Sequence, residues 1–238
     1  MTLMATVTKE QITDNLRRIH ERIRQSLERA GRPGDEVAVL AVTKGCGLET
    51  VDAAFGAGLR LFGENRVQEA HAKYAGPALP GELHLIGHLQ TNKAGKAAAL
   101  FDCVQSIDKL ETAAALDRHL AGLGKKKRVL LQLNTSRETS KSGYADRDAL
   151  LADLDKIRAL AALEVAGLMT IGPLSDSQTD IRASFCRLKK LFDELAAAHA
   201  FAAPAILSMG MSGDFEAAVE EGATLVRIVT ALFGERIY

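Results

Sequence analysis

The chain has 238 residues, of which 47% are hydrophobic, and its 30 basic side chains are balanced by 30 acidic ones. This length suits one large domain or two small ones. Without an excess of positive charge, extended nucleic-acid binding is not expected. Cys46, Cys103 and Cys186 have no metal-ligand spacing, which argues against a disulfide scaffold and predicts a reducing, cytoplasmic location with no metal. No apolar run approaches the roughly 20 residues that span a bilayer, so no membrane association is expected.

The first predicted element is an amphipathic helix at the N-terminus. Apolar residues recur along one face at steps of three and four: Ile12, Leu16, Ile19, Ile23 and Leu27. Thr8 and Gln11 form a capping-box pattern at its start, and Gly31 with Pro33 marks its end. Because this helix precedes the first predicted strand, we expect it to be an extra N-terminal element outside the fold formed by the strands.

From residue 36 onwards, strand-like and helix-like stretches alternate. Residues 36–44 are nearly continuously apolar and rich in Val, which is typical of a strand buried on both faces of a parallel sheet. Strands are predicted at residues 36–44, 59–62, 83–87, 102–106, 128–134, 164–171, 205–210 and 224–229. Helices are predicted at residues 48–57 and 64–74, from about residue 92, and at 108–120, 150–160, 181–195 and 214–221. Eight such units predict an α/β fold, a single closed (β/α)8 TIM barrel over residues 1–238, with an open doubly wound sheet as the alternative.

Lys44 is the first candidate for chemistry, because it ends the first strand and the carboxyl ends of barrel strands form the active site. Removing its ammonium group from water disfavours the charged form and leaves more free amine, as a Schiff-base nucleophile needs. The alternative is a lysine whose stem is buried while its charge reaches the barrel rim. Lys93 and Lys141 lie in predicted loops, where water keeps an amine protonated.

A second candidate is the segment SMGMSGD, residues 208–214, which follows the seventh strand and opens a helix. Its two hydroxyls, two glycines and unpaired amides suit a phosphate. Thr230 follows the eighth strand, and the loops after strands seven and eight commonly bind phosphate in barrels. The alternative is an ordinary turn in which Ser212 or Asp214 caps the helix.

Three weaker patterns point elsewhere. Residues 45–50 read G-x-G-x-x-T and, with Glu64 downstream, approach a dinucleotide fingerprint that would suit a nicotinamide-dependent oxidoreductase, although Thr50 replaces the last glycine. His84 and His88 could suggest a metal, but the sequence places no third ligand beside them. The KKKR run at residues 125–128 is most simply a solvated turn.

Seven segments in order, LAVTK, FGENRVQEA, LHLIGHLQTNK, SKSGY, GLMTI, LSMGMSGDFEAAVEEGAT and VRIVTALFG, resemble the pyridoxal phosphate homeostasis protein family over nearly the whole chain. Members of that family resemble the barrel half of alanine racemase. The resemblance therefore implies a fold type III pyridoxal 5'-phosphate-binding barrel.

The resemblance also assigns residues to a cofactor site: Lys44, Asn65, His84, Met169, Ser208, Gly210, Met211, Ser212, Arg227 and Thr230. Lys44 would form the internal aldimine and Asn65 would lie beside the ring. The SMGMS residues and Thr230 would hold the phosphate. Arg227 would face the pyridine nitrogen, and because a guanidinium has donors but no acceptor, that nitrogen would stay unprotonated and the ring would be a poorer electron sink.

The function implied is binding of pyridoxal phosphate as a lysine aldimine, with control of its intracellular level and supply to apo-enzymes, little or no catalysis, and a monomeric state. An alternative is a racemase-like enzyme, which needs a second base that a second domain or Tyr74, Tyr144 or Tyr238 would have to supply. Two departures from the family pattern are Val229, where glycine is usual, and Leu83, where an aromatic residue is usual before His84.

Overall fold

The computed structural model describes residues 7–74, 76, 81–136, 138 and 141–234. Its strands are β1 Ala38–Val42, β2 Leu61–Glu64, β3 Glu82–Leu85, β4 Cys103–Ile107, β5 Lys127–Gln132, β6 Leu163–Met169, β7 Ile206–Met211 and β8 Leu225–Ile228. The α-helices are α1 Lys9–Arg29, α2 Leu48–Gly56, α3 Val67–Lys73, α4 Ala94–Leu100, α5 Leu110–Gly122, α6 Arg147–Arg158, α7 Gln178–Ala197, α8 Phe215–Glu220 and α9 Thr230–Phe233. A short 3₁₀ helix, Thr91–Lys93, precedes α4.

The eight strands close into one barrel in sequence order, and every pair is parallel. Strand β1 pairs with both β2 and β8, with Leu40 opposite Leu61 on one side and Arg227 on the other. The predicted (β/α)8 barrel is confirmed, and the open doubly wound sheet is excluded because the last strand returns to the first.

The N-terminal helix α1 is the predicted addition to the barrel. Its capping box is present: the Gln11 amide donates to Thr8 Oγ1, and the Thr8 amide donates to Gln11 Oε1. Its apolar face is buried, and the helix packs on α2, α8 and α9. Arg22 forms an ion pair with Glu216 of α8 at 2.9 Å, so α1 braces the outside of the barrel beside its last units.

Side chains alternate between the barrel interior and the layer beneath the helices, as the twofold period of a strand requires. Leu40 and Val42 of β1 belong to an inner cluster with Ile86 and Leu225. A second apolar cluster holds Cys103, Leu130, Ala166 and Met169. Lys44 lies in the turn after β1 and follows Leu40 and Val42 at the same two-residue step, a spacing that predicts a side chain on the inner side of the barrel mouth.

Several predicted boundaries were wrong, most clearly those around β2 and β3. Strand β2 covers residues 61–64 rather than 59–62, and the following helix begins at Val67 rather than Glu64. The Thr43 amide donates to the Gly63 carbonyl and the Ile86 amide to the Glu64 carbonyl, so pairing with both neighbouring strands holds this segment extended despite its helical pattern. Strand β3 ends at Leu85 rather than residue 87, and beyond it Gly87 approaches the Asn65 backbone too closely for a side chain.

Across the residues that the structure describes, no helix is both long enough and apolar enough to cross a membrane.

Candidate functional site

Most of the predicted cofactor residues come from four neighbouring strands. Going round the barrel, the order is β2, β1, β8 and β7. Asn65 follows β2 directly, and Lys44 lies two residues beyond β1. Arg227 lies within β8 and Gly210 within β7. The topology therefore gathers a lysine, an amide, a guanidinium and the glycine-containing end of β7 along one half of the barrel.

A buried ion pair lies behind Lys44. Glu64 is fully buried, and its Oε1 accepts hydrogen bonds from Lys73 Nζ at 2.6 Å and from Thr43 Oγ1 at 2.7 Å. Lys73 Nζ also donates to the Thr43 carbonyl at 2.7 Å. On the other side, the Gly45 amide donates to Glu69 Oε1 at 3.0 Å. Both neighbours of Lys44 in the chain are thus fixed by charged side chains, while Lys44 itself is half-buried.

The loop after β7 is shaped by Gly210. Its φ is +91°, and a Cβ there would lie 2.6 Å from the Cβ of Ala218 and 3.0 Å from the Cα of Phe215. Only glycine accepts both the left-handed backbone and the close contact with α8. Gly210 therefore lets the end of β7 pack closely against α8.

Ser212 joins the loop after β7 to the loop after β8. Its Oγ accepts hydrogen bonds from the amides of Val229 at 3.0 Å and Ala231 at 3.4 Å. The hydroxyl hydrogen remains available to donate, because a hydroxyl has one donor besides its two acceptor positions. Thr230 is the exposed first residue of α9 between those two amides. The two loops predicted to bind phosphate are therefore one connected unit.

Asp214 occupies the residue before α8, as one alternative proposed, but its side chain makes no capping bond there. Its Oδ1 instead accepts from the Met211 amide at 2.5 Å. Burial raises the pKa of this carboxyl, an effect opposed by the Met211 hydrogen bond and by the charge of Arg227. The Met211 amide is therefore already paired, while the Met211 side chain is 38% exposed at the mouth.

Arg227 is almost entirely buried inside the barrel. Its Nη1 donates to Ser208 Oγ and its Nη2 to the Thr170 carbonyl, both at 2.7 Å. Burial lowers the pKa of the guanidinium to about 10, so it stays protonated at neutral pH. A fixed buried cation with N–H groups to spare is thus present below the barrel mouth.

Three predicted site residues lie deeper than the rim. Ser208 is fully buried, with its hydroxyl between Arg227 and Gln105. His84 is 1% exposed and contacts the Gln105 amide nitrogen, and Met169 is buried in an apolar cluster of the interior. These side chains stand behind Arg227 rather than beside the open mouth, and their part in a cofactor site stays a prediction.

Gln105 is a buried polar residue beside the predicted site that the sequence reasoning missed. It lies in the middle of β4 and is fully buried inside the barrel. The sequence argument takes polar residues at strand ends as candidates, whereas Gln105 lies in the middle of a strand. The available signal was an amide among the apolar residues of a predicted buried strand, since a buried amide needs hydrogen-bond partners.

Both departures from the family pattern have a structural explanation. Leu83 faces the helix layer, on the opposite face of β3 from His84, so it does not pack around that histidine. Val229 keeps a negative φ of −120°, and its amide donates to Ser212. Glycine is therefore not required at residue 229 for the two loops to join.

The dinucleotide alternative is contradicted by this arrangement. A closed barrel has no topological switch point, and the Glu64 carboxylate is enclosed by Lys73, Thr43 and Tyr74, where it cannot meet a ribose. His88 Nδ1 pairs with Asp108 Oδ2 at 2.9 Å. Within the described part of the chain, no three potential metal ligands form a group.

Of the tyrosines considered for a second catalytic base, Tyr74 and Tyr144 point away from the mouth. Tyr144 donates to Asp153 Oδ2 at 3.2 Å on the outer side, and burial raises its pKa. The Tyr74 hydroxyl lies 3.3 Å from Thr43 Oγ1 in the same outer layer as Glu64. Tyr238 lies outside the described residues. Neither described tyrosine is placed to act on a molecule held by Lys44.

The fold, with a lysine after the first strand, defines the class of (β/α)8 proteins to which the N-terminal domain of alanine racemase belongs. The model of that domain family, "Alanine racemase, N-terminal domain", matches residues 13–237. An alanine racemase of Clostridium difficile is similar in structure, with a TM-score of 0.73 at 17% identity, over 93% of this chain and 60% of that one. At this identity the likeness concerns the fold alone.

Two further relatives are more similar. A pyridoxal phosphate homeostasis protein of Pseudomonas aeruginosa is 43% identical over 229 residues, which cover 95% of this chain and 96% of that protein. The structure of PipY from Synechococcus elongatus, with PLP bound, is 35% identical with a TM-score of 0.79, over 94% of this chain and 100% of that one. The chain belongs to the family of pyridoxal phosphate homeostasis proteins.

Proposed function

We propose that this protein binds pyridoxal 5'-phosphate covalently through Lys44 and takes part in controlling its level and its supply to apo-enzymes in the cell. The observation that carries the proposal is the convergence of Lys44, Arg227 and the Gly210 loop on adjacent strand ends. Pyridoxal phosphate carries an aldehyde, a ring nitrogen and a phosphate, and a lysine amine, a hydrogen-bonding side chain and a phosphate-binding loop are the groups that would meet them. Family membership supports the same assignment.

The residues at the mouth fit the cofactor. When bound, pyridoxal phosphate supplies an aldehyde that condenses with an uncharged amine. Lys44 would provide that amine from the inner face of the barrel, and Asn65 would lie beside the ring. Gly210 lets the end of β7 pack closely against α8, because a Cβ there would meet Ala218 and Phe215. The Ser212 and Thr230 hydroxyls would hold the phosphate, since the Met211 amide already donates to Asp214 Oδ1.

Arg227 favours a protein that holds the cofactor rather than an enzyme that uses it to convert substrates. A guanidinium can only donate to the pyridine nitrogen, which then stays unprotonated and withdraws electrons less strongly. Ser208 and the Thr170 carbonyl fix the guanidinium, with His84 and Met169 behind it. Formation of a D-amino acid from an L-amino acid at about 1 per second or faster would contradict this holding role. The monomeric state and cytoplasmic location are further parts of the proposal.

The attachment site is tested by reducing the purified, cofactor-loaded protein with borohydride and mapping the labelled peptide. We expect the cofactor on the peptide that contains Lys44, and we expect Lys44→Ala to lose the visible absorption band. Lys93→Ala is the matched control, because Lys93 lies in the 3₁₀ helix after the third strand and is expected to leave the band intact. A band that survives in Lys44→Ala would overturn the assignment.

A further inference from the structure

A line of polar side chains crosses the barrel interior beneath the proposed cofactor site, from the buried Arg227 to the partly exposed Glu82. Arg227 Nη1 lies 2.7 Å from Ser208 Oγ, which lies 2.7 Å from Gln105 Oε1. Gln105 Nε2 lies 2.8 Å from His84 Nδ1. His84 Nε2 lies 3.3 Å from Glu82 Oε2, which also accepts from Arg128 Nη2 at 2.9 Å. We call these residues the interior line.

The interior line has one consistent direction of donation. Arg227 can only donate, so Ser208 Oγ accepts and its hydroxyl hydrogen goes to Gln105 Oε1. The Gln105 amide then donates to His84 Nδ1, which leaves the His84 proton on Nε2, facing Glu82. Turning the Gln105 amide round would place two donors on the Ser208 oxygen and leave the serine hydrogen without an acceptor.

Such a line is unusual inside this fold. The interior of a (β/α)8 barrel is dominated by bulky branched apolar side chains, whereas Gln105, Ser208 and His84 are each 0–1% exposed here. A buried polar group left without a partner costs about 1–3 kcal/mol. Each buried side chain of the line therefore depends on its neighbour for a hydrogen-bond partner. Gln105 is the only side chain of the line bonded to both Ser208 and His84.

We propose that Gln105 is a positioning residue for the cofactor site: its carboxamide oxygen fixes the Ser208 hydroxyl as an acceptor for Arg227 and so aims the guanidinium at the bound ring. Without that oxygen, the Ser208 hydroxyl is free to rotate, and Arg227 loses a fixed direction on one of its two anchored nitrogens. This inference rests on the proposed function for its final step only. The direction of the interior line is a property of the protein without cofactor.

The first experiment uses the protein without cofactor. Long-range ¹H–¹⁵N NMR of the His84 ring is expected to report the tautomer with the proton on Nε2, and in Gln105→Leu this preference is expected to weaken. A proton on Nδ1 in the unsubstituted protein would overturn the direction of the interior line, whatever the cofactor does. The NMR experiment therefore tests the interior line separately from the proposed function. The proposed function would be contradicted if the unsubstituted protein did not bind pyridoxal phosphate.

The second experiment measures the dissociation constant of pyridoxal phosphate by fluorescence titration. Gln105→Leu is expected to weaken binding about tenfold, which corresponds to about 1.4 kcal/mol. Gln105→Glu is expected to stay within about threefold of the unsubstituted protein, because a carboxylate still accepts from Ser208 and can accept from a protonated His84. Equal losses in both variants would overturn the proposal, since the shared property would then be disruption of the core.

Gln132→Leu is the matched control. Gln132 is a 97%-buried glutamine on the adjacent strand β5, and its Nε2 donates to the Ser142 carbonyl at 2.9 Å, outside the interior line. Its cofactor affinity is expected to stay close to that of the unsubstituted protein after correction for stability. If Gln105→Leu does not fold, Gln105→Glu and Ser208→Ala still decide the point. Ser208→Ala removes the acceptor itself and should lose the affinity that Gln105→Glu retains.

Discussion

The two sides of the proposed site are held in place by different forces. On the side of Lys44, a buried ion pair between Glu64 and Lys73 fixes the backbone from outside the barrel. On the opposite side, Gly210 and Ser212 fix the loops through close packing and neutral hydrogen bonds. The backbone beside the amine is thus held by a buried ion pair in the outer layer, whereas the proposed phosphate side is set by close packing and neutral hydrogen bonds. The two sides should therefore respond to different perturbations.

The largest effect is expected from Gly210→Ala, which disturbs the close packing on the phosphate side. The new Cβ would lie 2.6 Å from the Cβ of Ala218, on a backbone with φ of +91°. Strain and overpacking together predict a loss of about 2–4 kcal/mol in the free energy of unfolding. Pyridoxal phosphate and inorganic phosphate should both bind more weakly. Denaturant unfolding and calorimetric titration measure the two effects.

Gly213→Ala is the control for that substitution. Gly213 lies three residues further along the same loop, and a Cβ there would meet no atom within 4 Å. We expect a change in the free energy of unfolding of no more than about 0.5 kcal/mol. Equal losses in the two variants would mean that the loop, rather than the contact at Gly210, limits stability.

A smaller effect is expected from Glu64→Gln, which removes the carboxylate charge of the buried ion pair on the side of Lys44. Lys73 would lose its carboxylate partner while its side chain remains 10% exposed. An uncompensated, nearly buried ammonium predicts a loss of about 2–3 kcal/mol. Covalent attachment at Lys44 should slow, while affinity for inorganic phosphate stays unchanged. Urea unfolding, attachment kinetics and phosphate titration distinguish these outcomes.

Asp193→Asn provides the comparison for Glu64→Gln. Asp193 pairs with Lys189 on the surface of α7, where both side chains are at least 35% exposed. Such pairs contribute about 0–1 kcal/mol. If Asp193→Asn cost as much as Glu64→Gln, burial would not be what makes the Glu64 pair important.

The sequence predicted the strand count, the barrel and the N-terminal helix because these follow from apolar periodicity and parallel-strand burial. It also singled out Lys44, since a lysine ending a buried strand is visible in the pattern itself. It could not foresee the hydrogen bond between Gln105 and Ser208 or the pairing of Ser212 with the amide of Val229. These depend on which strands become neighbours across the barrel, and 103 residues separate Gln105 from Ser208. The misplacement of β2 has the same origin, because pairing with two neighbouring strands overrode a local helical pattern.

The smallest effect is expected from Asp214→Asn, which adds a test of charge on the side governed by shape. Burial raises the pKa of Asp214, so the native state binds its proton more tightly than the unfolded chain does. This contribution to stability is complete below the unfolded pKa and is lost as the pH rises through the native value.

At neutral pH the buried carboxylate also opposes a nearby anion, so Asp214→Asn should bind inorganic phosphate about two- to fivefold more tightly, as expected for a partly screened charge. The gain should vanish as the pH falls and Asp214 becomes protonated in the unsubstituted protein. Asp176→Asn, an exposed aspartate in the loop after β6, should show no gain at either pH. A pH-independent gain in Asp214→Asn would mean that the loop changed shape rather than charge, and the phosphate side would then be governed by shape alone.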